Sequence, residues 1–108
     1  MKQVKMMRID EIISHHRLNV PNKIAIQFNK KNWTFSELDK AIHESSSYLQ
    51  KNFNLKEGDR ICYYGPNNPE QIILLFAASK IGLILMPLNW RLSDLELNYQ
   101  INNASPKV

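Results

Sequence analysis

Residues 60–86 read RICYYGPNNPEQIILLFAASKIGLILM, and this stretch decides the fold. It opens on a short β-prone run, Ile61-Cys62-Tyr63-Tyr64, that ends at Gly65. Pro66-Asn67-Asn68-Pro69 follows as a turn, with Asn68 placed to cap a helix and Pro69 at its first position, where the missing N–H costs nothing. Ile72 to Ala78 is apolar nearly all round, which predicts a helix buried on most sides. Lys80 suits the negative end of that helix, and Gly82 supplies a left-handed stop. Leu83-Ile84-Leu85-Met86 then reads as a strand covered on both faces. Strand, helix and strand within about 28 residues make a βαβ unit, with parallel strands and a right-handed crossover. The apolar run Ile72–Leu88 does not read as a membrane span, because Ser79, Lys80, Gly82 and Pro87 interrupt it. A charge at a bilayer centre costs about 2.5–3.5 kcal/mol, and a span needs roughly 20 residues.

Downstream, Leu92-Ser93-Asp94-Leu95-Glu96-Leu97 is a full helix-start signal, with Ser93 and Glu96 as capping box and Leu92 and Leu97 as hydrophobic staple. That helix is expected to run to about Asn103. Pro106-Lys107-Val108 resembles the approach to another strand, so the chain reads as cut rather than finished. Upstream, Ile9, Ile12, Ile13 and His16 share a helical face, with Asp10 and Glu11 near its start and Arg17 near its end. Asn19 and Pro21 stop that helix. Lys23–Phe28 alternates in part, Asn29–Asn32 is turn-like, and Trp33–Phe35 reads as the returning strand of a hairpin. Ser36, with Asp39 three residues on, is expected to cap a helix ending at Lys51-Asn52. Its inner face carries Leu38, Ala41, Ile42, Ser45, Tyr48 and Leu49. Lys56 to Asp59 is a surface turn. The predicted organisation is a single incomplete α/β domain over residues 1–108. Residues 9–58 hold the helix, hairpin and amphipathic helix, and residues 59–108 the βαβ unit and a final helix.

The totals bound the function. A chain of 108 residues holds one core and folds with little margin. Its net charge of +4 is scattered; neither Lys30-Lys31 nor the Lys2, Lys5 and Arg8 group reaches the five or six like charges of a nucleic-acid arm. Met6-Met7 gives way at once to Arg8, which is no signal-peptide core. One cysteine, Cys62, cannot form an internal disulfide and fits a reducing cytoplasm.

Chemistry in open α/β sheets gathers at the carboxyl ends of the strands. Two loops hold that position here, Gly65–Asn68 and Asn89-Trp90-Arg91. The first reads as a capped turn, with anion binding at the helix N-terminus as the alternative. In the second, Arg91 either takes a phosphate in bidentate geometry or pairs with a nearby acid such as Asp94 or Glu96. His15, His16 and His43 lack the spacing of a metal site. Cys62 reads as a small core residue rather than a nucleophile. Ser45-Ser46-Ser47 lies on a helix, away from any strand-to-helix elbow. Gly58, Gly65 and Gly82 are too far apart to wrap a phosphate chain. No catalytic residue and no metal ligand is therefore assigned.

The order of several short segments carries a resemblance. Pro21-x-Lys23-Ile24-Ala25-Ile26 is followed by Trp33-Thr34-Phe35-Ser36-Glu37-Leu38 and by Gly58-Asp59-Arg60. Then come Pro66-Asn67-Asn68-Pro69-Glu70, Ala77-Ala78-Ser79-Lys80-Ile81-Gly82 and Pro87-Leu88-Asn89-Trp90-Arg91-Leu92. Together these resemble the N-terminus of the adenylate-forming acyl-CoA synthetases, the AMP-binding enzymes of fatty-acid and aryl-acid activation. The resemblance covers residues 9–108 but only about the first fifth of such an enzyme. It implies activation of a carboxylic acid by ATP and Mg²⁺ as an acyl-adenylate, then transfer to CoA. It also implies that Arg91, which follows the proline-leucine-asparagine strand end, contacts CoA phosphate in the intact enzyme. Trp90 departs from the proline often found before that arginine. The family's Gly-rich phosphate loop, ribose-binding acid and C-terminal lysine do not occur in these residues. The chain alone is therefore expected to be inactive and to bind none of these cofactors tightly. An alternative is a short non-catalytic chain that self-associates or docks on a subunit supplying the nucleotide site.

Overall fold

The computed structural model describes residues 9–88 and 91–108, the Asp10 side chain excepted. The N-terminal basic group, Met6-Met7 and the Asn89-Trp90 part of the second loop lie outside the described residues.

The chain forms helix α1 (Ile9–Asn19), a hairpin of β1 (Ile24–Phe28) and β2 (Lys31–Thr34), and helix α2 (Phe35–Asn52). Strand β3 (Arg60–Tyr64), helix α3 (Pro69–Lys80), strand β4 (Ile84–Leu88) and helix α4 (Asp94–Ala104) follow. Strands β1 and β2 pair antiparallel, with a register shift between Ile24 and Ile26 that explains the partial alternation in the sequence. Strands β3 and β4 pair parallel, Arg60 beside Ile84 through Tyr64 beside Leu88, which is the expected βαβ unit. The other side of β3 also has a neighbour. Lys107 N–H donates to the Arg60 carbonyl, and Cys62 N–H to the Val108 carbonyl, both at 2.7 Å. The last residues thus approach β3 as an incipient strand.

Several local readings need correction. The hairpin turns on Asn29-Lys30, with Asn29 left-handed at φ 48°, so β2 begins at Lys31 and ends one residue earlier than expected. The cap of α2 is Thr34, not Ser36. Thr34 Oγ1 accepts from Glu37 N–H and the Glu37 carboxylate accepts from Thr34 N–H, both at 3.2 Å. A Thr-x-x-Glu box satisfies two orphan N–H groups with a longer acid than Ser36-x-x-Asp39 offers. Asp39 is instead held by α1, at 2.7 Å from Arg17 Nε and accepting from Ser14 Oγ at 3.1 Å. The inner face of α2 is Leu38, Ile42, Ser46 and Leu49, whereas Tyr48 is 59% exposed. Ser46 is tolerated inside because its hydroxyl donates to the His43 carbonyl at 2.9 Å.

The Thr34–Glu37 box is expected to make folding pH-dependent. The backbone and hydroxyl hydrogen bonds from Thr34 hold the Glu37 carboxyl below its ordinary 4.5, against weak desolvation and with help from Lys31. A depressed folded-state pKa contributes stability that is complete above the ordinary value and is lost as pH falls through the lowered one. Between pH 6 and acid, the wild type is expected to lose more urea resistance than Glu37→Gln, which keeps the cap without the charge. Equal losses in paired urea titrations would remove Glu37 from that account.

The core lies on both sides of α3. Ile13, Leu38, Ile42, Ile73 and Ala77 form one cluster, joining α1, α2 and α3. Leu49, Ile61, Ala78 and Leu83 form the second, between the end of α2, β3 and α3. The expectation that α3 is buried on most sides holds only for these two faces, since Ile72 and Leu75 are 38% and 42% exposed. Strand β4 is likewise not covered on both faces: it runs through Pro87 to Leu88, and Ile84 is 50% exposed. Gly82 sits at φ 75°, where an added Cβ would lie 2.8 Å from Glu57 Cγ, so the turn back to β4 requires glycine.

Candidate functional site

Parallel pairing brings the carboxyl ends of β3 and β4 side by side, Tyr64 next to Leu88. Both sequence-predicted loops leave the sheet at this edge. The first is closed on itself. The Asn68 side chain accepts from Gln71 N–H at 3.2 Å, and Pro69 brings no N–H to the first turn of α3. Tyr63 Oη donates toward the Pro66 carbonyl at 3.1 Å and stands 3.3 Å from Asn68 Oδ1. A helix start whose donors are capped in this way is a structural turn, with less to offer an anion than a bare N-terminus.

Arg91 lies in the turn before α4, and its side chain is exposed. The following helix start is capped by Ser93, whose hydroxyl is 2.8 Å from Glu96 Oε1 and accepts from Glu96 N–H at 3.3 Å. Glu96 therefore has a capping duty of its own. A cavity of about 440 Å³ opens between the strand ends and α4, lined by Tyr64, Leu88, Asp94, Leu97, Asn98 and Ile101. Sequence reasoning did not single out Tyr64, Asp94 or Asn98 as lining one space. Their convergence depends on α4 folding back over the β3–β4 edge, and no local pattern encodes that.

The other candidates fall away from this edge. His16 stacks on Phe35 with ring centroids 4.9 Å apart, and its Nδ1 donates to the Ile12 carbonyl at 2.9 Å. His15 lies 3.2 Å from the Asn19 amide, and His43 lies 3.1 Å from Lys80 Nζ. Among the described residues no group of three or more His, Cys, Asp or Glu gathers. Cys62 is half-buried in β3, and desolvation pushes its thiol above the ordinary 9.0, so it carries less thiolate than a free cysteine. The serine run lies within α2. No described helix is long and apolar enough to cross a membrane.

The described donors do not fit ATP or Mg²⁺. Among the described residues the acids are dispersed, and the Gly65–Asn68 loop is capped by its own Asn68 side chain. Arg91 fits a phosphate by chemistry, being planar, charged and exposed. A second groove of about 440 Å³ beside Asn67 and Asn68 is formed by β1, α3 and β4 and contains no ionisable residue, so it offers a phosphate no counter-charge.

Comparison with known proteins gives consistent results. The model of the AMP-binding enzymes matches residues 14–108. Indoleacetate–CoA ligase of Aromatoleum aromaticum is 30% identical over 102 residues, covering 94% of this chain and 20% of that protein. 2-Succinylbenzoate–CoA ligase of Bacillus velezensis is 33% identical over 88 residues, covering 82% and 18%. The chain thus spans about a fifth of the length of these relatives. Among solved structures, the NpsA N-terminal subdomain of Klebsiella oxytoca superposes with a TM-score of 0.84 at 23% identity, over 94% of this chain and 26% of that one. A putative long-chain-fatty-acid CoA ligase of Rhodopseudomonas palustris gives 0.87 at 23%, over 93% and 25%.

Proposed function

This chain belongs to the AMP-binding enzyme family, and from that premise we propose that it is the N-terminal part of a cytoplasmic, ATP- and Mg²⁺-dependent acid–CoA ligase. In the whole enzyme a carboxylic acid attacks the α-phosphate of ATP, giving acyl-adenylate and pyrophosphate. The thiol of CoA then displaces AMP. The present residues supply scaffold: the β3–β4 edge, where ligands collect in open α/β sheets, and Arg91 beside it as a contact for a CoA phosphate. The observation that carries the reading is the family match over residues 14–108, with relatives named as CoA ligases at 26% and 33% identity. A nucleotide cradle and Mg²⁺ ligands must come from other polypeptide.

The purified 108-residue chain is expected to show no acid-dependent ATP–pyrophosphate exchange with aromatic or aliphatic acids. Joined to the remaining four-fifths of the Aromatoleum ligase, it is expected to support exchange with indoleacetate. Exchange by the isolated chain, or a folded chimera without exchange, would overturn the assignment.

Arg91 is tested in the same chimera. Because it is assigned to CoA and not to ATP, Arg91→Ala should raise the KM for CoA about tenfold, the loss of one charge-assisted hydrogen bond. Pyrophosphate exchange should stay unchanged. A fall in exchange at constant KM for CoA would place Arg91 in the first half-reaction instead.

A further inference from the structure

The three helices that precede α4 each carry a basic residue in the last turn: His16 and Arg17 in α1, Lys51 in α2 and Lys80 in α3. A cation there offsets the partial negative charge of the last carbonyls. Helix α4 has no basic residue in its last turn. Its cation comes from β3 instead. Arg60, 44 residues away in sequence, donates from Nη1 to the Ala104 carbonyl at 2.8 Å.

Arg60 also holds the reversal that follows. Its carbonyl accepts from Lys107 N–H at 2.7 Å, so its side chain grips the end of α4 and its backbone the returning segment. Between the two, Ser105 is left-handed at φ 49°, a conformation that disfavours a residue bearing a Cβ. Ser105 closes the Ile101 carbonyl with its N–H at 2.9 Å and the Asn102 carbonyl with its hydroxyl at 3.3 Å. Those bonds are internal to the helix end, whereas the Arg60 bond ties that end to the sheet. Ala104 is the buried residue of α4, Leu97 is half-buried, and the other α4 side chains are exposed. The helix is thus fastened to the described residues most firmly at its carboxyl end. Asp94 lies about 15 Å from that anchor, and a tilt of about 10° there moves the start of α4 by about 3 Å. Arg91, in the turn before α4, moves with it. Tyr64, across the cavity from Asp94 and Asn98, is on the same strand as Arg60 and stays in place.

We propose that Arg60 is a positioning residue for the CoA half-reaction. By holding the Ala104 carbonyl it sets the tilt of α4, and with it the place of Arg91 and the width of the cavity between Tyr64, Asp94 and Asn98. The proposal rests on the CoA-ligase reading above, because it acts through the phosphate contact assigned to Arg91.

Hydrogen exchange of the 108-residue chain tests the anchor without any activity. Arg60→Met removes the charge-assisted bond and keeps the apolar stem. Amide exchange over residues 98–104 should quicken about tenfold, while that over residues 42–49 stays as in the wild type. Arg60 is exposed and both core clusters stay filled, so the variant should fold. Unchanged exchange in α4, or acceleration spread equally over α2, would overturn the proposal. The chimera with the Aromatoleum ligase tests the consequence. There Arg60→Met should raise the KM for CoA about fivefold, with the rate of acid-dependent pyrophosphate exchange retained. A general loss of structure would instead depress both half-reactions together. Added to Arg91→Ala, Arg60→Met should raise that KM by less than about a further twofold, since both act at one contact. Independent, multiplying effects would overturn the proposal. A normal KM in Arg60→Met, where Arg91→Ala raises it, would remove the positioning role and leave the CoA assignment standing. If Arg91→Ala has no effect either, the CoA assignment has failed first and the positioning role falls with it.

Discussion

Leu38→Ala is expected to destabilise the chain by about 3 kcal/mol, the middle of the range for deleting a fully buried leucine side chain. Leu38 is 2% exposed and occupies the point where α1, α2 and α3 meet, with Ile13, Ile42, Ile73 and Ala77 around it. Asp39, the next residue, binds α2 to α1 through Arg17 and Ser14. A small domain has only about 5–15 kcal/mol in total, so the loss is a large fraction. The thermal midpoint should fall by about 15 °C. Leu38→Met, which conserves volume, should cost less than about 1.5 kcal/mol. If both variants melt together, near the wild type, the junction is not the tightly packed point that its burial indicates.

Much of this arrangement is legible in the sequence because it is written in short-range chemistry. Asn68 and Pro69 start α3, Gly82 ends its turn, and Ser93 with Glu96 starts α4, all where the residue types require them. The parallel pairing of β3 and β4 follows from strand, helix and strand in close succession. The misreadings share a cause: two signals overlapped. Thr34 was assigned to a strand, which hid its capping box with Glu37, although both residues satisfy the motif. On α2 the apolar stripe pointed to Ser45 and Tyr48, but the helix is wedged between α1 and α3, and that wedge turns Ser46 inward.

The burial of α3 and β4 was overestimated for a different reason. Apolar composition reports that a surface has to be covered, and it carries no information about which polypeptide covers it. Ile72, Leu75 and Ile84 are exposed despite that composition. The site was less legible still. Position after a buried strand singles out Arg91 in the sequence, but nothing in its own neighbours separates a phosphate contact from an ion pair, and only the family resemblance favours the phosphate. Tyr64, Asp94 and Asn98 share a cavity only once α4 has returned to the strand ends.

Ile61→Ala tests the other half of the core, and it too is expected to cost about 3 kcal/mol. Ile61 is 2% exposed in β3, the strand with β4 on one side and Lys107–Val108 on the other. Its side chain packs with Leu49, Ala78 and Leu83, so one deletion loosens α2, α3 and the approach to β4 together. Ile61→Val removes one methylene from the same place and should cost about 1 kcal/mol. The double variant with Leu38→Ala is the more informative measurement. The two clusters are linked through α2, which gives Leu38 and Ile42 to one and Leu49 to the other, and through α3, with Ala77 on one side and Ala78 on the other. If both helices are rigid, the losses should add to within about 0.5 kcal/mol in urea unfolding. A coupling well above that would mean that α2 or α3 shifts when either side is emptied. Where α3 shifts, Ile72 and Leu75, on the same helix, would move with it, and the exposed groove would be tied energetically to the core.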